Sequence, residues 1–168
     1  MRIRNRLNFI ITGALIVAAY VGLTYLSNVF GLAYGPIQLR LSEVLCVLPV
    51  FSPAAIWGVT LGCFIANIGS FNVIDMIFGT AATLIAALLT YSFRNVKLKQ
   101  IPVISMLMPV LVNAVIIGLE ISIFFLDNAA SVWGYVISAL QIGASELIVC
   151  VGFGIPFYLV VKKYKIFK

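Results

Sequence analysis

The stretch PIQLRLSEVLCVLPVFSP, residues 36–53, decides how this chain divides into helices. It lies within an apolar segment, residues 37–70, that is much longer than the roughly 20 residues that one membrane-spanning helix needs. Pro49 and Pro53 fall near the middle of the segment. Proline removes a helical hydrogen bond and disfavours helix in the residue before it. We therefore predict two short helices that meet at FSP, residues 51–53.

The composition indicates an integral membrane protein. Of the 168 residues, 63% are hydrophobic and 10% are charged, and a soluble domain of this size has too little interior to bury so much apolar surface. Long apolar runs favour helices over a barrel, and the first is too long for a cleavable signal peptide. The runs are residues 7–32, 37–70, 73–92, 101–126 and 132–161.

The positive charges indicate how the chain is oriented. The net charge is +6, and the basic residues cluster in RIRNR (2–6), RNVKLK (94–99) and KKYKIFK (162–168), just outside apolar runs. Such clusters mark cytoplasmic ends near anionic lipid headgroups, so we do not expect nucleic-acid binding. An even number of crossings must separate the first two clusters, which requires two spans in residues 37–70. We predict an all-α integral membrane protein, a single domain over residues 1–168, with six transmembrane helices and both termini cytoplasmic.

Acidic residues stand out in such an apolar chain. An ionisable side chain within a span costs about 2.5–3.5 kcal/mol on insertion, so it marks either an internal pair or a functional pocket. Arg40 and Glu43 are three residues apart and would share a helical face, either as a structural ion pair or as part of a pocket wall. Asp127 falls in a predicted outer loop, and none of the five acidic residues lies on the predicted cytoplasmic side.

A set of polar side chains in and around the predicted outer half forms the candidate substrate-binding site. Carboxylates and carboxamides suit a ligand rich in N–H donors, such as a purine-like base or an amine. Tyr34, Phe71 or Trp133 would either stack on a flat base or anchor the bundle in lipid. The alternative for any single polar residue is an interhelical hydrogen bond. The candidate residues are Arg40, Glu43, Asn67, Asp75, Asn113, Glu120, Gln141 and Glu146.

Small residues recur every four positions in two spans. The row in the first span is Ala14, Ala18 and Gly22, and the row in the third span begins with Gly58 and Gly62. Such rows let helix backbones approach closely in lipid. We expect the row in the third span to pack within this chain. For the first span, packing within the chain and docking onto a second membrane protein are equally good interpretations.

Several chemistries are poorly supported by the residue types present. The chain has no histidine, and Cys46, Cys63 and Cys150 form no CxxC pair, so we predict no metal, haem or iron–sulfur cofactor. It has no GxxxxGK[ST] phosphate loop and no Ser–His or Cys–His pair, so we do not expect an enzyme. A small scaffold without substrate is an alternative, although it would have little use for Glu120 and Glu146. We see no inverted repeat of the kind that secondary transporters contain.

Three sequence blocks resemble the QueT family of queuosine-precursor transporters. They are GPIQLRLSEVLCVLP (35–49), PAAIWGVTLGCFIANI (53–68) and DMIFGTAATLIAALLTY (75–91), within a resemblance that covers about residues 12–92. Members of this family are substrate-binding S components of energy-coupling factor (ECF) transporters. The resemblance implies a six-helix bundle in a bacterial plasma membrane, with an outward-facing site for a 7-deazaguanine-like base. Other S components share this architecture, so a different vitamin or base is the alternative substrate.

The resemblance also implies partners. An S component works with a transmembrane T component and two ATPase subunits, which would place ATP hydrolysis in other chains. Its first helix faces the T component through an AxxxA-like row, and Ala14 and Ala18 match that pattern. Gly22, four residues after Ala18, extends this candidate partner interface by one helical turn.

Overall fold

The computed structural model describes residues 2–34, 38–70, 72–124 and 131–167, and helices make up most of them. The last three helical elements follow one another without a break, so residues Val132–Tyr164 form one continuous helix. The elements are α1 (Arg2–Val29), a 3₁₀ segment (Leu41–Val50), α2 (Ala54–Ile68), α3 (Val73–Ser92), α4 (Val103–Phe124), α5 (Val132–Glu146), a π segment (Leu147–Phe153) and α6 (Gly154–Tyr164).

The all-helical fold agrees with the sequence prediction. Four helical stretches are long and apolar enough to cross a membrane, namely Arg4–Val29, Val73–Ser92, Val103–Phe124 and Val132–Tyr164. The 3₁₀ segment and α2 are shorter apolar helices. The break between them confirms the predicted division at residues 51–53. Six crossings and cytoplasmic termini stay predictions.

The 3₁₀ segment differs from the regular span that we expected. Arg40, which we placed inside this helix, is extended and precedes its first residue, with φ −80° and ψ 108°. A 3₁₀ helix rises about 2.0 Å per residue, so ten residues reach roughly 20 Å, further than the same residues would as an α-helix. Pro49 lies inside the segment rather than at its end. The tighter winding therefore lets a short, proline-containing stretch reach further than an α-helix with the same number of residues.

The glycine row of α2 packs against α1, as predicted. A Cβ atom on Gly58 would lie 3.0 Å from the carbonyl oxygen of Gly13, and one on Gly62 would lie 2.7 Å from the Cβ of Tyr20. The two helices approach so closely because these positions carry no side chain. On α1, by contrast, a Cβ on Gly22 would have no neighbour within 4 Å.

The three basic stretches lie near one end of the bundle. Asn5 at the start of α1 and Phe167 near the C-terminus line the same groove. The Phe167 ring stacks on Phe51, with 6.0 Å between centroids. The Tyr158 hydroxyl lies 3.5 Å from the carbonyl oxygen of Gln100, just after the second basic stretch. We call this the basic end and the opposite one the distal end.

Candidate functional site

Glu43 lies in the interior of the bundle. It is 4% exposed. The Tyr20 hydroxyl on α1 donates to its Oε1 atom. The Cys46 thiol, one 3₁₀ turn further along, donates to Oε2 at 3.1 Å. Each oxygen of the carboxylate therefore has its own donor, which fixes the plane of the group.

The Glu146 carboxylate also has a polar partner at each of its two oxygens. Asn113 on α4 donates from Nδ2 to its Oε1 at 2.9 Å, and the Cys150 thiol lies 3.2 Å from its Oε2. The same thiol lies 3.5 Å from the backbone oxygen of Glu43. The two carboxylates therefore belong to one buried group, which we call the central cluster. Its members are Tyr20, Glu43, Cys46, Asn113, Glu146 and Cys150.

Unusual helix geometry brings this cluster together. In a 3₁₀ helix, side chains three apart lie above one another, as Glu43 and Cys46 do. Side chains four apart share a face in an α-helix, and Cys150 follows Glu146 by four residues. Glu146 ends α5 and the π segment follows directly. Short π-helical turns frequently occur at functional sites.

Arg40 lies towards the distal end and does not pair with Glu43. Its Nε donates to the Ala33 carbonyl at 2.7 Å, and its guanidinium carbon lies 5.2 Å from the centre of the Tyr34 ring. Tyr34 in turn donates to the Ala66 carbonyl at 2.6 Å. Burial raises the pKa of the Tyr34 phenol, so this donor stays protonated. Within the described residues, the ion-pair alternative is therefore wrong, and Arg40 contacts a backbone carbonyl and an aromatic ring instead.

Asn67, Asp75 and Glu120 meet where α2, α3 and α4 approach the distal end. Asn67 donates from Nδ2 to the backbone oxygen of Asp75 at 3.1 Å. The Asp75 side chain lies within interaction range of the Glu120 carboxyl group. Among the described residues, the Oδ1 atom of Asn67 and the Oε1 atom of Glu120 are buried without a hydrogen-bond partner. We call Arg40, Asn67, Asp75 and Glu120 the distal set.

The other predicted residues lie elsewhere. Gln141 is exposed on α5, so the structure does not bring it to the central cluster. Trp133 is exposed as well, and Phe71 and Asp127 lie outside the described residues. The row in α1 is exposed on the surface of the bundle and does not pack within the described chain. Its residues are Ala14, Ala18 and Gly22.

Sequence reasoning missed Tyr20 and the roles of two cysteines. From the sequence we considered Cys46 and Cys150 as metal or cofactor ligands, yet both thiols contact carboxylates. A signal for Tyr20 was present, because Tyr20, Thr24 and Ser27 recur at helical spacing on one face of the first span. The row of small side chains in the same span lies on the opposite face of the helix.

The distal set and the central cluster are rich in hydrogen-bond acceptors. Among the described residues, the buried charged side chains are Arg40, Glu43, Glu120 and Glu146, so carboxyl groups outnumber the cation. Carboxylate and carboxamide oxygens accept N–H groups. In the described part of the chain, no group of three or more Cys, Asp or Glu side chains, the central cluster included, is arranged to hold a metal ion.

A helical bundle with several apolar spans and buried carboxylates defines a multi-pass membrane protein with a polar interior. A family profile for the QueT transporter matches residues 10–163. The chain belongs to the QueT transporter family. It is also 42% identical over 76 residues to the queuosine precursor transporter QueT of Lactococcus lactis subsp. cremoris (strain MG1363). That alignment covers 45% of this chain and 45% of the relative. No solved structure matches the chain.

Proposed function

We propose that this chain is the substrate-binding S component of an ECF-type, ATP-driven importer in a bacterial plasma membrane. Its substrate is a queuosine precursor of the 7-deazaguanine type. The base enters from the distal end, which faces outward, and binds between the distal set and the central cluster. Family membership and the name of the Lactococcus relative support the substrate class.

The pair of buried, unpartnered oxygens is the observation that carries the proposal. Glu120 is 2% exposed and Asn67 is fully buried, yet Glu120 Oε1 and Asn67 Oδ1 accept no hydrogen bond within the described structure. A buried acceptor without a donor costs about 1–3 kcal/mol. Three other side chains in the described chain also have such atoms, but they do not combine a carboxylate with a carboxamide. N–H groups of a ligand would supply the missing donors.

A guanine-like base fits these oxygens. Its ring N–H and exocyclic amine are adjacent, and one carboxylate accepts both in a bidentate arrangement. Glu120 takes this role, and Asn67 Oδ1 accepts a further N–H. Arg40 donates from its terminal nitrogens to the ring carbonyl, while its Nε stays on Ala33. Tyr34, whose ring lies beside Arg40, stacks on the face of the base.

The proposed partners are a T component and two ATPase subunits. The exposed row Ala14, Ala18 and Gly22 gives the outer face of α1 a stripe of small side chains onto which another membrane helix can pack closely. The chain has no phosphate loop of its own, which fits ATP hydrolysis in partner chains. Docking through this face leaves the interior of the bundle free for the ligand.

Ligand binding by the purified chain tests the proposal. We expect 7-deazaguanine to bind in calorimetry, and Glu120→Gln to weaken binding by roughly 10- to 150-fold, the worth of a hydrogen bond to a charged group. The control is Thr60→Val, because among the described residues the Thr60 hydroxyl bonds only to the Ile56 carbonyl of its own helix. That variant should bind normally.

Mass spectrometry of small molecules that copurify with the chain separates the alternatives. A different base or vitamin, together with no binding of 7-deazaguanine, would mean an S component for another substrate. No ligand under either method would favour a scaffold. Normal affinity in a well-folded Glu120→Gln variant would show that Glu120 does not bind the ligand.

A further inference from the structure

Three polar side chains of α1 hold the first turn of the 3₁₀ segment. Tyr20 donates to the Glu43 carboxylate, the Thr24 and Ser42 hydroxyl oxygens are 2.8 Å apart, and Ser27 Oγ accepts the Leu41 N–H at 2.9 Å. We call Tyr20, Thr24 and Ser27 the α1 ladder. They contact three consecutive residues, and all three are almost fully buried.

The 3₁₀ segment needs this support because it does not cap itself. The first N–H groups of a helix have no partner within the helix, and the Arg40 side chain at the cap position makes no capping hydrogen bond. Ser27 supplies the missing acceptor for Leu41. The turn that carries Glu43 is therefore anchored to another helix.

The position of the Tyr20 hydroxyl is itself fixed. The base of the tyrosine packs against Gly62 of α2, where an added Cβ would lie 2.7 Å from the Tyr20 Cβ and 3.0 Å from its Cγ. The base of the side chain therefore has no room to move towards α2. The other oxygen of the Glu43 carboxylate is held by the Cys46 thiol.

We propose that Tyr20 is a positioning residue of the binding site, which orients the Glu43 carboxylate and with it the opening turn of the 3₁₀ segment. This inference rests on the proposed function, since it makes Glu43 part of the ligand site. A carboxylate whose two oxygens are each held by a donor is preorganised, so a ligand does not have to order it on binding. Without the hydroxyl, Oε1 loses its donor in a buried environment.

A double-mutant cycle measures this role. Tyr20→Phe should weaken 7-deazaguanine binding roughly tenfold in the natural background, the lower end of the effect of one hydrogen bond to a charged group, because Tyr20 acts on the ligand only through Glu43. In a Glu43→Gln background the same substitution should change affinity by less than about twofold, because the group that Tyr20 positions has already been altered. Equal losses in both backgrounds would mean that Tyr20 supports the bundle only, and would overturn the inference.

A second measurement does not depend on the ligand. Dicyclohexylcarbodiimide labels carboxyl groups in apolar surroundings, and mass spectrometry locates the label. We expect several-fold faster labelling of Glu43 in Tyr20→Phe, because its carboxyl group is no longer held on one side. The matched control is Tyr158→Phe, which removes a buried tyrosine hydroxyl near Gln100, away from Glu43.

The two measurements distinguish failure of this inference from failure of the proposed function. Faster Glu43 labelling without binding of any base would support the Tyr20–Glu43 contact and count against the proposed substrate site. Unchanged labelling in a folded Tyr20→Phe protein would overturn the inference whatever the ligand is. If Tyr20→Phe does not fold, Thr24→Val removes the next hydroxyl of the α1 ladder and should also accelerate Glu43 labelling, and an unchanged rate would contradict the proposal.

Discussion

The substitution Gly62→Ala tests whether close packing of α1 against α2 positions the binding site. The added Cβ would lie 2.7 Å from the Cβ of Tyr20, closer than two carbon atoms can approach. Because the nearest atom is at the base of the tyrosine, rotation of the ring cannot relieve the contact. We predict that Gly62→Ala moves α1 away from α2 and displaces the Tyr20 hydroxyl from Glu43.

The size of the effect follows from two opposing terms. Overpacking a close contact costs about 1–3 kcal/mol, whereas alanine gains up to about 1 kcal/mol over glycine in a helix interior. The net loss in the free energy of unfolding should be about 1 kcal/mol, the middle of a range from about 0 to 2 kcal/mol. Gly22→Ala has the same chemistry with nothing within 4 Å of the new methyl group. It should therefore be neutral or slightly stabilising.

Unfolding of the isolated chain in detergent, followed by circular dichroism as the fraction of dodecyl sulfate rises, compares the two variants directly. Gly62→Ala should unfold at a lower fraction than the natural protein and bind 7-deazaguanine more weakly, while Gly22→Ala should match it in both. If Gly62→Ala were as stable as Gly22→Ala and bound normally, the tight contact between α1 and α2 and its link to Glu43 would be refuted.

Three further predictions address topology, partners and the limits of the site. In a background without native cysteines, an impermeant thiol reagent applied to intact cells should label Asn128→Cys but not Lys97→Cys, and labelling of both would contradict six crossings. Ala14→Leu with Ala18→Leu should reduce copurification of the T component while the isolated chain still binds ligand, since both residues are exposed. A loss of ligand binding as well would place the row inside the bundle. Gln141→Ala should leave ligand affinity unchanged within about twofold, because the side chain is exposed. A larger loss of ligand affinity would show that Gln141 belongs to the site.

Much of the candidate site could be predicted from residue type and depth. Glu43, Asn113 and Glu146 meet in the central cluster, and Asn67, Asp75 and Glu120 meet near the distal end. Polar side chains in an apolar chain are costly unless they find one another, so their presence predicts a buried polar group. Their role in binding a substrate is still a prediction.

Local pattern was enough for the helical fold, the division at residues 51–53 and the packing of Gly58 and Gly62. Hydropathy, proline and glycine affect the backbone at their own positions in the chain. The sequence therefore predicts the spans, the helix break and the close helix packing directly. The partners of the charged groups depended on tertiary structure. Glu43 is held by Tyr20 from another helix, and its backbone oxygen meets Cys150, 107 residues away along the chain. Such contacts arise only where helices approach, and neither spacing nor composition specifies where that happens.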